Sequence, residues 1–430
     1  MNNRRGIRNR NSKFIKTINI KLVVPIFIAV IAICIGVLIY KNYEEKILAA
    51  KSNETSQNKQ YLLFQDIEKA SKAAASDENA VDTGAADTTI KITTVGDILC
   101  EDSVIKDGYN KDTGAYDFSN IFSDIAKYTS SSDLTLGLLE TNFVDGGNYS
   151  GNGRYNSPKE FGQALKNIGI SLLSTANNHS FDYGTAGVQS TISYLNSIGI
   201  DTFGTYASPD DAANNNVLMK DVKGIKLAFL AYTYGTNESI PGSDKYSVNV
   251  IDKDKMQSDI QKARDEGADY VFVDMHWGEV DSAVPTAEQK DLADFLFSSG
   301  ADFILGSHPA SLQPMEVRQN SMGKNVYISY STGNFISASK YSYSNIEMVL
   351  NIEITKSGET GETYLSKVTY VPVYLQDKGS GAADRYKLLD IPAEINKYEG
   401  GSTNDIDAKT YNSLKQALST IDKLIGKENK

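Results

Sequence analysis

Short apolar runs alternate along this chain with stretches of helical spacing, and that alternation most limits the folds open to it. Ile90–Val95, Leu134–Leu139, Ile170–Ser174, Leu227–Tyr232, Tyr270–Asp274 and Phe303–Leu305 read as short buried strands. Ile121–Tyr128, Pro158–Ile168, Gly184–Ile198, Asp254–Glu266 and Thr286–Ser299 carry the helical period between them. Pro158 and Pro285 stand near helix starts, where a missing N–H costs least. Such alternation builds an α/β domain. The later part changes character: Val326–Tyr330, Ile346–Ile354 and Tyr364–Tyr374 have few helices between them and read as antiparallel strands added to a second sheet. In α/β folds the active groups gather at the carboxyl ends of the strands, and the polar motifs of this chain lie there.

The two ends of the chain are of another kind. Residues 1–21 carry seven basic groups and no acid, so the remainder holds 36 basic and 54 acidic residues and a net charge of −18. An acidic body argues against nucleic-acid binding, which needs a basic face. The basic head runs into residues 22–40, 19 positions without a charge. As a helix they would be roughly 28 Å long, about one hydrocarbon core. The upstream charges place the N-terminus in the cytoplasm and residues 41–430 outside. The competing reading is a cleaved signal peptide, but the apolar run is long for one and Leu48-Ala49-Ala50 is a poor cleavage site. A single-pass anchor in the cell membrane is therefore the expectation.

Residues 41–88 read as a polar stalk, partly helical around Tyr61–Ala75. Residues 377–430 read as a polar tail whose Asp407–Ile425 segment has helical spacing and forms a final helix. Of the two cysteines, Cys34 lies in the apolar run, so Cys100 has no partner for a disulfide in the outer domain.

The chain has three histidines, His179, His276 and His308, and each sits where an apolar run meets a loop. Histidine is the commonest metal ligand and the usual acid or base at neutral pH. The first strand ends in Gly96-Asp97, a tight turn followed by a hard oxygen ligand or a plain turn aspartate. Glu140 follows a strand of leucines, so its carboxylate needs either a metal or a strand-end ion pair. Asn177-Asn178-His179 is followed by Asp182, which either fixes the tautomer of His179 or caps the next helix. Trp277, beside His276, reads as a pocket wall or as core. Ser331-Thr332-Gly333-Asn334-Phe335 closes a strand with a turn that would offer backbone N–H groups to an anion. Together, five strands deliver Asp97, Glu140, Asn178, His276 and His308 to one edge. Mixed nitrogen and oxygen ligands suit a divalent metal ion such as Mn, Fe, Zn or Mg, which polarises a phosphoryl oxygen or acidifies a bound water.

The motifs GDILC, LLETN, YSGNGRYNSP, STANNHSFDYG, MHWGEVDSAVPTAEQKDLADFL, GADFILGSHPASLQPME and YSTGNF, in this order, resemble the capsule-synthesis CapA family of poly-γ-glutamate biosynthesis. The resemblance covers residues 89–376. It implies a fold similar to the calcineurin-like metallophosphatases: a four-layer αββα sandwich of two mixed sheets with a metal centre at one edge. It implies a place in the bacterial envelope, in making, exporting or anchoring poly-γ-glutamate capsule. By motif, Asp97 matches the first metal aspartate and Glu140 the acidic residue that would bridge two metals. Asn178 and His179 resemble the metallophosphatase Asn-His pair, with Asn178 on metal and His179 as acid. His276 and His308 match the histidines of the second metal. Arg154 is a candidate for an anionic substrate group or a surface ion pair.

The departures from the family pattern thin one half of that centre. The usual His-Pro-His is His308-Pro309-Ala310, a histidine expected two residues after Asp97 is Leu99, and an asparagine before the Leu-Glu pair is Leu138. The glutamate of the usual HWGxE falls one residue early, at Glu279, with Val280 in its place. These losses imply a one-metal site or a site in decay. Two functions stay open: a metal-dependent hydrolase of phosphoester or polymer linkages, or a non-catalytic subunit that binds an anionic polymer or scaffolds the poly-γ-glutamate synthase.

Overall fold

Tyr61–Gln65, expected as the start of a stalk helix, form instead an edge strand, β1, in the computed structural model. Its pairing explains the difference: β1 adds antiparallel to a long strand near the C-terminus, and the Tyr61 ring lies 5.3 Å from that of Tyr370. A sheet edge and an apolar cluster override a weak helical pattern. The structure describes residues 61–65, 86–146, 148–401 and 406–426. The basic head and residues 22–40 lie outside the described residues; among the described residues no helix is long and apolar enough to cross a membrane.

From there the chain runs through β2 (Thr88–Ile98), α1 (Asp102–Gly108), the hairpin β3–β4 (Tyr109–Asn110 and Ala115–Tyr116), α2 (Ser119–Phe122), α3 (Ala126–Thr129) and β5 (Leu134–Leu139). A second hairpin, β6–β7 (Ser150–Asn152 and Arg154–Asn156), leads to α4 (Lys159–Asn167), β8 (Leu172–Ser174), α5 (Gly184–Ser197), β9 (Asp201–Phe203) and α6 (Pro209–Asn214). Next come β10 (Leu218–Val222), β11 (Ile225–Thr233), α7 (Lys253–Asp265), β12 (Tyr270–His276), α8 (Ala287–Ser299) and β13 (Phe303–Ser307). The last stretch holds β14 (Met315–Gln319), β15 (Asn325–Ser329), β16 (Asn334–Ile336), β17 (Ile346–Lys356), β18 (Thr363–Asp377), β19 (Tyr386–Asp390), α9 (Ile391–Glu399) and α10 (Ala408–Leu424). The helix expected over Ile121–Tyr128 is two single turns, α2 and α3. Between them the Ser123 hydroxyl bonds the Asn120 carbonyl, a local competitor of the helical ladder.

The fold is α/β, as expected, with two mixed sheets. A nine-stranded sheet runs β1-β18-β17-β2-β5-β8-β9, with β16 also on β2 and β19 also on β18. Within it β2, β5, β8 and β9 are parallel, while β17 and β18 return antiparallel. A six-stranded sheet runs β10-β11-β12-β13-β15-β14, parallel in its middle four strands. The late strands therefore divide, contrary to the expected shared antiparallel sheet. β15 joins the second sheet parallel to β13, and β17 and β18 return to the sheet of the first strand.

One apolar cluster lies between the sheets, with Ile90, Ile92, Leu134 and Leu136 from one and Leu227, Phe229, Phe272 and Leu305 from the other. The far face of the nine-stranded sheet packs Val95, Ile98 and Leu173 against Phe122, Leu165 and Leu195 of the helices. The far face of the second sheet packs Val271, Val273 and Ile304 against Met256, Ile260, Leu292 and Leu296 of α7 and α8. Each fully buried side chain of this size stabilises by about 1.5–3 kcal/mol. The chain beyond residue 376 is no mere polar tail: β19 extends the first sheet, and α10 places Leu414, Ala417 and Ile421 in the inter-sheet cluster. Asp407 caps α10, accepting the Thr410 N–H at 2.7 Å.

Candidate metal and proton-transfer site

The carboxyl ends of β2, β5 and β8 meet those of β12 and β13 at one rim, and hydrogen bonds tie the two sheets there. The backbone N–H of His308, just past β13, donates to Asp97 Oδ2 on β2 at 2.8 Å. Nε2 of His276, ending β12, lies 2.7 Å from Asn178 Oδ1, in the loop after β8. His276 Nδ1 lies 3.8 Å from Glu140 Oε1, and the rings of His276 and His308 are 4.7 Å apart. Asp97, Glu140, Asn178, His276 and His308, five residues scattered over the sequence, thus share one neighbourhood.

Gly96 is needed here for close approach rather than for a turn. A Cβ on it would fall 2.1 Å from the Gly333 carbonyl oxygen, which accepts the Asp97 N–H at 2.9 Å. That contact docks β16 alongside β2, with Asn334 opposite Asp97. His308 holds a φ of 91° and Ala310 one of 55°, both left-handed, so the segment between β13 and β14 keeps a backbone that non-glycine residues rarely adopt.

The electrostatics follow from burial. Burial pushes the Asp97 carboxyl up to about 7, against the bond from the His308 N–H. Glu140 is held well above the usual carboxylate range by burial and by neighbouring Asp97. Asp274 is pushed up to about 8 by burial, although the Ser174 and Ser307 hydroxyls favour its ionised form. His276 falls well below its usual value through burial and His308, and His308 falls to about 4 through burial and His179. The rim therefore holds neutral imidazoles beside carboxyls that have no lysine or arginine partner among the described residues. Among the described residues no N–H or hydroxyl donates to Asp97 Oδ1, whose carboxyl lies against that of Glu140, and Asn334 Nδ2 and both oxygens of Glu347 on β17 are buried without a partner.

Beside this cluster stands a His–Asp pair. His179 Nδ1 lies 2.8 Å from Asp182 Oδ2, which also accepts the Tyr155 N–H at 2.8 Å. Asp182 therefore orients His179 and is not a helix cap; the cap position of α5 is Tyr183, without a side-chain bond. The Tyr155 ring lies 4.2 Å from the imidazole, Asn142 donates to the His179 carbonyl at 2.9 Å, and the Asn237 amide approaches the ring at 3.3 Å. The His179 side chain remains 12% exposed, open to a reacting group.

For Trp277 and Arg154 the structure selects one of two open readings, and Glu279 and the turn before Asn334 stand apart from the roles considered for them. Trp277 is core: it alternates with His276 on β12 and its loop, lies in the cluster under α7 and α8, and donates its N–H to the Tyr330 carbonyl at 3.0 Å. The aromatic ring beside His276 and His308 is that of Tyr234, 4.8 Å from His308. Arg154 is bound at 2.6 Å by Glu238, with the two side chains 57% and 42% exposed, so the surface ion pair holds. Glu279 is exposed on the loop after β12, and no hydrogen bond or ion pair joins it to the cluster among the described residues. The turn before Asn334 does not offer its N–H groups to an anion: that of Thr332 bonds the Gly306 carbonyl and that of Gly333 the Ser331 hydroxyl.

Asp274 was legible in principle, because residues two apart on a strand share a face and His276 is two positions on. Ser174 and Ser307, which bond it, and Asn237 carry no sequence signal. Among the described residues no three or more His, Cys, Asp or Glu side chains form a ready metal cage. The donor chemistry nevertheless fits one divalent ion: two carboxylates, an amide oxygen and two neutral imidazoles, with no N–H or hydroxyl among the described residues on the buried Asp97 Oδ1.

Residues 91–339 match the family described as bacterial capsule synthesis protein PGA_cap. The chain is 32% identical over 257 residues to capsule biosynthesis protein CapA of Bacillus anthracis, covering 56% of this chain and 58% of that one. It is 28% identical over 263 residues to PGA biosynthesis protein CapA of Bacillus subtilis strain 168, covering 58% and 65%. The matched region thus spans less than two thirds of either relative. Among solved structures, the calcineurin-like phosphoesterase YfkN of Bacillus subtilis gives a TM-score of 0.40 at 13% identity, covering 77% of this chain and 99% of that one. A phosphatase from Mycoplasma pneumoniae gives 0.40 at 15%, covering 67% and 94%.

Proposed function

Because the chain belongs to the bacterial capsule synthesis protein family PGA_cap, we propose that it serves in making, exporting or anchoring an envelope polymer of the poly-γ-glutamate type, through a metal-dependent, phosphoesterase-like hydrolase site. Residues 22–40 anchor it in the cell membrane, with the N-terminus cytoplasmic and the domain outside. The observation that carries the reading is the 2.7 Å approach of His276 Nε2 to Asn178 Oδ1, which brings two ligand-type atoms from different sheets to one point.

Asp97, Glu140, Asn178, His276 and His308 would hold the metal. A divalent ion there would polarise a phosphoryl oxygen and lower the pKa of a bound water. As an imidazolium, His179 gives its Nε2 proton to the leaving oxygen, while Asp182 accepts the Nδ1–H and holds the ring in place through the transfer. The Tyr155 ring limits how far the imidazole can swing.

A second reading, a non-catalytic scaffold that binds the synthase subunits or an anionic polymer, has its own support. Leu99 and Ala310 stand where two further histidines would complete a metal pair. Arg154 is already paired with Glu238.

The two readings part in one preparation of the full chain in detergent. Bound metal is measured, and turnover of a generic phosphodiester is followed with and without His276→Ala. The hydrolase reading expects about one metal per chain and turnover that the substitution abolishes. A protein that holds no metal even in excess Mn leaves the scaffold.

A further inference from the structure

Asp274 lies two residues before His276 on β12, buried, and accepts hydrogen bonds from two serines on two other strands. The Ser174 hydroxyl, at the end of β8, donates to its Oδ2. The Ser307 hydroxyl, at the end of β13, lies 3.4 Å from its Oδ1 and 3.0 Å from His276 Nδ1. Register alone puts Ser307 beside His276 on adjacent parallel strands. Ser174 belongs to the nine-stranded sheet, while Asp274, Ser307 and His276 belong to the other. One carboxylate thus clamps the two sheets together four residues before Asn178.

We propose that Asp274 is the positioning residue of the metal site: through Ser307 it fixes the ring and tautomer of His276, and through Ser174 it sets β8, which leads to Asn178, against the strand that carries His276. The inference rests on the reading of Asn178 and His276 as ligands. A serine hydroxyl has one proton to give. When Ser307 gives it to Asp274, its oxygen lone pair faces His276 Nδ1 and selects the tautomer protonated there. Nε2, which here donates to Asn178 Oδ1 at 2.7 Å, is then released from its proton and free to ligate. The Nδ2 of Asn178 donates to Asn237 Oδ1 at 3.3 Å, which favours this orientation of its amide. A ring nitrogen and an amide oxygen held this close suit two ligands of one cation that takes the place of the shared proton, and partners of this kind tune how tightly a metal is held.

The test titrates Mn and Co ions into the full chain in detergent, for the wild type, Ser307→Ala and Asp274→Asn, with the visible absorption of the cobalt form as the second readout. Weaker binding of both ions, by about 10- to 100-fold, with a displaced cobalt band and an unfolding transition still cooperative, is the expected result. Ser307→Ala removes one hydroxyl and keeps the clamp from Ser174, so it remains informative if Asp274→Asn does not fold. A purely structural Asp274 would lower the melting temperature of its variant and leave affinity and cobalt band alone; that outcome overturns the proposal and leaves the hydrolase reading standing. A wild type that binds neither ion overturns both.

Discussion

Asp97, Glu140 and Asp274 are three buried carboxyls with no lysine or arginine paired to them among the described residues. Their folded-state values lie above their unfolded ones, so the stability they contribute is present in acid and lost as pH rises through the folded values, about 7 for Asp97 and about 8 for Asp274. His276 and His308 have the opposite sign, being depressed in the folded state, and cost stability as pH falls below their unfolded value of 6.5. Above 6.5 the histidines are neutral in both states, which leaves the carboxyls alone in the window up to 8. Metal-free protein is predicted to lose on the order of 2 kcal/mol between those limits. Urea unfolding across this range checks it, and saturating Mn shrinks the loss, because metal binds Asp97 and Glu140 in their deprotonated form. A flat profile without metal would show that these carboxyls already ionise freely. At this scale the sequence was informative where a residue type was rare: three histidines and the polar ends of apolar runs pointed to the rim. It was silent where chemistry depends on contact. Nothing in Ser174, Ser307 or Asn237 distinguishes them from any loop or strand-end polar residue, and only the packing of one sheet on the other gives them partners.

Elements were legible in proportion to how local their cause is. β5, β12, α5 and α8 follow from runs whose apolar spacing suffices, and α8 adds a capping box from Thr286 and Gln289. β1 is a strand only because the β18 side of the first sheet can take it, and β16 only because the pairing of β17 with β2 stops at Val95 and leaves Asp97 and Ile98 open, which no local pattern announces. The final helix has a legible period but an unexpected depth. Ile421 is fully buried in α10 and shares the inter-sheet cluster with strands of both sheets. Ile421→Ala is therefore predicted to destabilise the domain by about 2–5 kcal/mol, seen as a lower urea midpoint with the transition still cooperative. A cost below about 0.5 kcal/mol, the scale of a surface substitution, would mean that α10 is an appendage to the fold.

At the scale of the whole chain, charge and hydropathy are divided sharply. Seven basic residues precede 19 uncharged ones, and everything after carries a net −18. An acidic domain gains nothing from an anionic lipid surface, so electrostatics alone would not hold it at a membrane. If residues 22–40 span the bilayer, attachment depends on apolar length and is insensitive to salt. If the basic head merely adsorbs to headgroups, attachment is lost as salt screens it. The full chain in bacterial cells is predicted to sediment with membranes, resist high-salt washing and dissolve in detergent, whereas a chain lacking residues 1–40 stays in the supernatant. A tag at the C-terminus should bind antibody on intact spheroplasts, and one at the N-terminus only after permeabilisation. Release by salt would overturn the anchor, and a C-terminal tag hidden until permeabilisation would turn the domain inward, away from any polymer outside the cell.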